Sequence, residues 1–180
     1  TETYPVTFSA ASDVYKRQAL LVAEDLGAVT PEAERLRADF DIPGLRVLQF
    51  GFGDGGRYHE PHNYPRDCVA YTGTHDNETI VGWLRGHAGR HGRDTALRYA
   101  RSDGRQAHWD MIRLLYMSRA NTVIVPLQDV LGLGNHARMN RPGTTRGNWT
   151  WRVRREELTR KLAGTLRAMV DTYERQGASA

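Results

Sequence analysis

Two short stretches decide the fold, LVAEDLG at residues 21–27 and YTGTHDN at residues 71–77. In each, an apolar run ends at a carboxylate, Glu24 in the first and Asp76 in the second. A strand buried on both faces of a parallel sheet is a continuous apolar run, and functional side chains of barrel enzymes follow the carboxyl ends of such strands. The pattern predicts two acids at one end of a parallel sheet, which suggests glycosidic chemistry.

Strand-like and helix-like segments alternate around these two stretches. Short apolar runs predict strands within residues 19–24, 45–52, 68–77 and 122–132. Helical patterns occupy residues 31–40, a stretch beginning near residue 78, residues 105–120 and residues 156–176. Such alternation is typical of a parallel α/β architecture with right-handed crossovers. Because a complete (β/α)8 TIM barrel takes about 250 residues, we expect an incomplete one, about half a barrel with some four strands and the helices between them.

Individual residues allow more detailed predictions for two helices and one loop. Thr30 is a candidate N-cap, followed by Pro31 at the first helical position. On the C-terminal helix, Leu158, Leu162, Leu166 and Met169 recur at three- and four-residue spacing and predict a stripe that faces the core. For the loop that contains Trp149 and Trp151, packing of the indoles into the core is favoured over a role as a sugar platform.

Composition excludes several functional classes. The chain has 180 residues, a formal charge of +4 and one cysteine, Cys68. The sequence contains no stretch long and apolar enough to span a membrane and no secretory leader pattern, and a single cysteine cannot form an internal disulfide. Because the arginines are scattered among acids, we expect a mixed-charge surface and no nucleic-acid partner. A cytoplasmic protein with no membrane partner is the resulting expectation.

Residues 1–18 differ from the rest of the chain. TETYPVTFSAASDVYKRQ has neither a helical nor a strand period, and its end resembles translated adapter sequence from an assembly of sequencing reads. We expect residues 1–18 to be non-native or disordered, and residues 19–180 to form the folded unit.

Four longer motifs carry a resemblance to a known family. In chain order they are AEDLGAVTPE (23–32), PGLRVLQFGF (43–52), PHNYPRDCVAYTGTHDNETIVGW (61–83) and VPLQDVLGLGNHARMNRPGTTRGNWTWR (125–152). They resemble the C-terminal half of the 4-α-glucanotransferases called amylomaltases or disproportionating enzymes, glycoside hydrolase family 77. The resemblance implies the C-terminal half of a TIM barrel, α-1,4-glucan transfer between maltodextrin donors and acceptors, and neither a cofactor nor a metal.

The resemblance also assigns roles to individual residues. It implies that Glu24 is the general acid/base of a retaining mechanism, a role favoured by an environment that disfavours the charged carboxylate. Asp76 matches a third carboxylate that binds the donor sugar's hydroxyls and stabilises the transition state, and His75 is expected to donate a hydrogen bond to the same sugar. Asp25 is the alternative acid, but strand alternation turns it away from Glu24.

Further substrate contacts and one missing residue follow from the same resemblance. Phe50 and Asp54 match an aromatic residue and an acid of the substrate groove, and Asn140 matches a polar contact near the donor sugar. For Phe50, burial in the barrel wall is an equal alternative. The family's nucleophilic aspartate belongs to the preceding strand, which nothing in residues 1–18 resembles. We therefore expect the isolated chain to be inactive.

Other chemistries remain as alternatives. An α-amylase-like hydrolase also uses catalytic carboxylates at the end of barrel strands. The residue types alone do not show whether water or a sugar hydroxyl is the acceptor. A metal-dependent hydrolase would use His59, Glu60 and His62, but these lack the spacing of the helical zinc motif and Pro61 interrupts any helix. An arginine-rich nucleic-acid-binding domain is the third alternative.

Overall fold

A computed structural model describes residues 21–27, 29–53 and 56–177 of the chain. Its centre is a three-stranded parallel sheet in the order β1 (Gly44–Val47), β2 (Cys68–Tyr71) and β3 (Thr122–Ile124). Ala23 adds an isolated parallel bridge to Gly44 on the free side of β1. Successive segments thus lie side by side in chain order, which confirms the predicted parallel α/β architecture.

Six α-helices accompany the sheet within the described residues. They are α1 (Pro31–Asp39), α2 (Ile80–Arg85), α3 (Gly89–Ala100), α4 (Ala107–Met117), α5 (Leu127–Val130) and α6 (Arg160–Thr172). The Thr30 side chain accepts a hydrogen bond from the backbone N–H of Ala33, and Pro31 opens the helix, as the sequence predicts for α1. Thr79 caps α2 in the same way through the N–H of Gly82.

The core lies between the sheet and helices α2 to α4. Leu48, Ile80, Met111 and Leu115 are fully buried there, and Phe52 packs against Trp83 and Tyr99.

The strands are shorter than the sequence predicts. The strand expected over residues 45–52 ends at Val47, and residues Leu48–Phe52 form a 3-10 helix that is buried except at Phe50. Gly51 allows this turn because a side-chain carbon there would lie 2.6 Å from the carbonyl oxygen of His59. The apolar run reports burial, which a strand and a buried turn share, so its length overestimates the strand. Likewise, of the strand expected over residues 19–24 the described part contributes only the Ala23 bridge.

The C-terminal part of the chain corrects two further predictions. Helix α6 covers Arg160–Thr172, and Leu162, Leu166 and Met169 lie on its less exposed face, although none is fully buried. Leu158, which precedes the helix, is 53% exposed, so the predicted stripe begins only at Leu162. Trp149, predicted to pack in the core, is 52% exposed. Cys68 is buried, and burial raises the pKa of its thiol to about 11.

Candidate active site

A cavity of about 280 Å³ opens beside the carboxyl ends of the strands. Glu24 and Tyr71 line it from the sheet, His75 and Glu78 line it from the loop that follows β2, and Arg138 lines it from the segment after α5. The two stretches that dominate the sequence therefore meet at one cavity.

Glu24 and its neighbour Asp25 point in opposite directions. Glu24 is exposed and lines the cavity, so within the described residues it lacks the apolar enclosure expected of a proton donor. The Asp25 carboxylate is only 8% exposed, accepts a hydrogen bond from the N–H of Leu45 at 2.6 Å and lies 3.5 Å from Arg37 and 3.6 Å from Arg46. Asp25 is a structural residue, which agrees with the alternation argument.

Arg46 explains how the buried charge of Asp25 is accommodated. Its guanidinium donates to the carbonyl oxygen of Leu45 at 2.6 Å, donates to the hydroxyl of Tyr58 and stacks over the Tyr58 ring at 3.6 Å. A buried ion pair stays stable only when its remaining donors also find partners. Two further N–H groups of Arg46 do so, whereas its Nε has no partner among the described residues.

Asp76 is held by residues from a distant part of the sequence. Its side-chain Oδ1 accepts a hydrogen bond from the Asn140 amide at 2.6 Å, and its backbone carbonyl accepts from Arg138 at 2.6 Å. The backbone N–H of Asn140 in turn donates to the carbonyl of His75 at 3.1 Å. The Asp76 side chain remains 44% exposed, so one carboxylate oxygen is oriented by the protein while the group still faces solvent.

His75 lies directly beside Asp76. Its Nε2 is 3.3 Å from Oδ1 of Asp76, and its side chain is 51% exposed. Its other neighbour is Trp149, whose ring centroid lies 5.1 Å from that of His75. The two expected sugar-binding groups are thus adjacent and both accessible.

Three side chains that sequence reasoning missed fix the loop of residues 73–79. The Asp129 carboxylate, only 1% exposed, accepts from the Thr72 hydroxyl at 2.5 Å and from the N–H of Ile80 at 2.7 Å. Asn135 donates to the Glu78 carboxylate at 2.5 Å, and Arg138 approaches the same carboxylate at 3.9 Å. Only the position of Asp129 and Asn135 inside the long motif at residues 125–152 pointed to them.

Two titratable groups at the site respond to its environment. Burial raises the pKa of Tyr71, and the negative charge of Glu24 raises it further, so this phenol stays protonated and available as a donor. Burial raises the pKa of Asp129 to about 6, although its hydrogen bonds with Thr72 and Ile80 act in the opposite direction.

The remaining predicted residues lie elsewhere. Phe50 is 40% exposed, stands edge-on to His59 and is not among the cavity-lining residues, so it is neither buried in a barrel wall nor in this part of the groove. Asp54 lies outside the described residues.

The residues of the alternative metal site have other partners. His59 accepts from the N–H of Val47, and burial, followed by the nearby Arg46, lowers its pKa. His62 stacks on Tyr99, and its Nε2 also lies 3.6 Å from the Glu60 carboxylate. In the part of the chain that the structure describes, no three His, Cys, Asp or Glu side chains are grouped to hold a metal ion. None of the helices in that part is both long and apolar enough to cross a membrane.

Comparison with known families agrees with this geometry. A family model described as 4-alpha-glucanotransferase, of glycoside hydrolase family 77, matches residues 5–159. The chain belongs to this family.

Individual curated proteins similar to this chain are also 4-alpha-glucanotransferases. The chain is 44% identical to a 4-alpha-glucanotransferase of Synechocystis over 87% of its own length and 31% of the relative's. It is also 44% identical to a 4-alpha-glucanotransferase of Thermus thermophilus, over 86% and 33% respectively. The chain thus spans about a third of the length of the curated relatives it matches.

Solved structures of family 77 share the fold. An amylomaltase from Streptococcus agalactiae in complex with acarbose superposes with a TM-score of 0.85 at 36% identity, covering 93% of this chain and 34% of the other. An amylomaltase from Corynebacterium glutamicum, at 18% identity and a TM-score of 0.59, shows the fold alone; it covers 87% of this chain and 28% of the other.

Proposed function

We propose that this chain is the C-terminal part of a retaining 4-α-glucanotransferase, and that it supplies the acid/base and the sugar-binding carboxylate of the active site. The observation that carries the proposal is the placement of Glu24 and His75 on one cavity, with Asp76 fixed beside His75 by Asn140 and Arg138. Family membership adds the reaction class. The substrates are maltodextrin donors and acceptors, and neither a metal nor a cofactor takes part.

In this proposal Glu24 protonates the leaving glycosidic oxygen and later deprotonates the acceptor hydroxyl. Retaining enzymes need a second carboxylate about 5 to 5.5 Å away as nucleophile. That aspartate belongs to a strand outside residues 19–180. Those residues then form the C-terminal half of a TIM barrel, residues 1–18 are not native to it, and the isolated chain is inactive.

Asp76 has a different task from Glu24. With Oδ1 engaged by Asn140, its second oxygen, which no described residue binds, accepts hydrogen bonds from ring hydroxyls of the donor glucose. Such bonds strengthen as the ring becomes oxocarbenium-like, so they lower the barrier more than they tighten ground-state binding. His75 and Asn140 then act on the same sugar, and Phe50 and Asp54 stay proposed contacts of the outer groove.

The experiment uses the complete enzyme of which this chain is proposed to be the C-terminal part. It compares the variants Glu24→Gln and Asp76→Asn with the control variant Glu34→Gln. Glu34 is exposed on α1, away from the cavity. On maltotriose, transfer yields glucose and longer maltodextrins, and Glu24→Gln should lose about a hundredfold or more of this activity. With α-maltosyl fluoride, whose leaving group needs no proton, Glu24→Gln should recover formation of the covalent intermediate while Asp76→Asn should not.

Several results would contradict the proposal. Rescue of Asp76→Asn by the fluoride, or no rescue of Glu24→Gln, would refute the assigned roles. Net gain of reducing ends without longer glucans would identify a hydrolase. Glucan transfer by the 180-residue chain alone would disprove the proposal that this chain lacks the nucleophile. A native upstream sequence without an aspartate-bearing strand would remove the enzyme assignment.

We also propose that the enzyme is cytoplasmic, a compartment in which the buried thiol of Cys68 stays reduced. Cell fractionation with an antibody against residues 19–180 tests this, and recovery from the culture medium or the envelope would contradict it.

A further inference from the structure

Trp149 presents a large aromatic surface beside the proposed sugar-binding groups. Its side chain is 52% exposed, and its ring lies 5.1 Å from the His75 ring at an interplanar angle of 40°. His75 itself is 3.3 Å from the Asp76 carboxylate, so the order along the surface is Trp149, His75, Asp76. The indole is therefore separated from the sugar-binding carboxylate by a single imidazole ring.

The backbone at Trp149 is held in an unfavourable conformation. Its φ of +62° lies in the left-handed region, which bulky residues rarely adopt. The N–H of Trp149 donates to the Met139 carbonyl at 2.7 Å, and Arg152 donates to the Trp149 carbonyl at 2.8 Å. Met139 lines the cavity, so the strained residue is anchored to the cavity wall.

The surrounding loop is also closed on itself. The Asn148 side chain accepts from the N–H of Arg141 at 3.0 Å and donates to the Thr144 carbonyl at 3.0 Å. A fixed backbone gives the indole a defined position while half of its surface stays open. Backbone strain that the surroundings over-determine is found preferentially at functional sites.

We infer that Trp149 is a stacking platform for the glucose unit next to the one bound by Asp76; this inference rests on the proposed function. A glucose ring in an α-1,4-glucan has apolar C–H faces and a polar rim. The indole supplies a flat apolar face together with an N–H donor at its edge, which suits such a ring. His75, shared between Trp149 and Asp76, keeps the two sugar contacts in register.

The test measures binding of maltotetraose and of glucose to the 180-residue chain by NMR titration of its backbone amides. The variants are Trp149→Ala, Trp149→Phe and a matched control, Trp109→Ala. Trp109 also contacts a histidine, because its ring lies 5.6 Å from that of His108 at an interplanar angle of 45°. Trp109 belongs to α4 and does not line the cavity. Unchanged amide spectra away from the loop show that each variant stays folded.

The platform predicts a specific pattern. Trp149→Ala should weaken maltotetraose binding about tenfold, the effect of losing one stacked sugar contact, and should leave glucose binding unchanged. Trp149→Phe should stay within about twofold of wild type because it keeps a flat ring on the same strained backbone, and Trp109→Ala should have no effect.

The alternative outcomes are separable. Equal losses for glucose and maltotetraose, or no loss with Trp149→Ala, overturn the platform while the proposed function stands. A wild-type chain that binds maltotetraose no better than a non-glucan sugar counts against the proposed function itself.

Discussion

Asp129→Asn should make the protein more stable, and only above about pH 4. Asp129 is buried at 1% exposure and accepts from Thr72 and from the N–H of Ile80. An asparagine keeps an acceptor for Ile80 and turns its amide towards the Thr72 hydroxyl, which then accepts. The substitution thus removes the buried charge while preserving the shape and the hydrogen bonds.

The magnitude follows from the pKa of Asp129. Burial raises it from 3.8 to about 6, so the folded protein binds this proton more tightly than the unfolded chain does. The stabilisation from this group is complete below pH 3.8 and is lost as the pH rises to about 6. At about 1.4 kcal/mol per pKa unit, the loss is about 3 kcal/mol.

Urea unfolding followed by circular dichroism, at several values between about pH 4 and pH 8, measures this effect. The stability of Asp129→Asn minus that of wild type should rise by about 3 kcal/mol up to about pH 6 and stay level above it. Asp94→Asn, an exposed acid on α3, is the control and should give a level difference. A level or falling difference for Asp129→Asn would refute the argument that burial dominates over the two hydrogen bonds.

Three further predictions concern stability and use the same unfolding assay. Asp25→Ala should destabilise the fold by about 3 kcal/mol or more, because it leaves the Arg46 guanidinium, 3% exposed, without its carboxylate; an equal or higher denaturation midpoint would refute this. Gly44→Ala should destabilise the fold by about 1 to 3 kcal/mol, because the added Cβ would lie 2.1 Å from an Asp25 oxygen. The loss of stability should be smaller in the Asp25→Ala background, and additive losses in the double variant would contradict the clash. Arg175→Ala should lower the stability by about 1 to 3 kcal/mol, because the guanidinium donates to several carbonyls at and just after the end of α4, including that of Tyr116 at 2.9 Å. Arg105 is exposed, so the control Arg105→Ala should have little effect. Equal effects of the two substitutions would disprove the anchoring role of Arg175.

The sequence predicted the order of elements well and their extent less well. Thr30 with Pro31 located the start of α1, because capping is local chemistry that a few residues specify. The apolar run at residues 45–52 gave a strand twice as long as Gly44–Val47, since burial and strand structure leave the same apolar signature. Leu158 shows the converse, because it continues the apolar period of α6 but precedes the helix and is 53% exposed.

For the site, the sequence located the acids but not what holds them. Glu24 and Asp76 follow apolar runs, a pattern visible in the chain, and Asn140 was placed near the same sugar. Asp129 clamps both ends of the loop of residues 73–79 from more than forty positions away, and no local pattern encodes such a contact. Trp149 was misjudged because the preference of tryptophan for the interior is a tendency that a strained loop overrides.

The clamp formed by Asp129 has a consequence for the motion of the loop of residues 73–79. Loops usually open locally at little cost, and their amides then exchange with solvent long before the protein unfolds. Detaching the ends of this loop requires breaking the hydrogen bonds of a buried carboxylate with Thr72 and Ile80, which lie at the end of β2 and the start of α2. The amide hydrogen of Ile80 should therefore exchange as slowly as those of the sheet, and the two ends between which Asp76 lies stay in place for as long as the core stays folded.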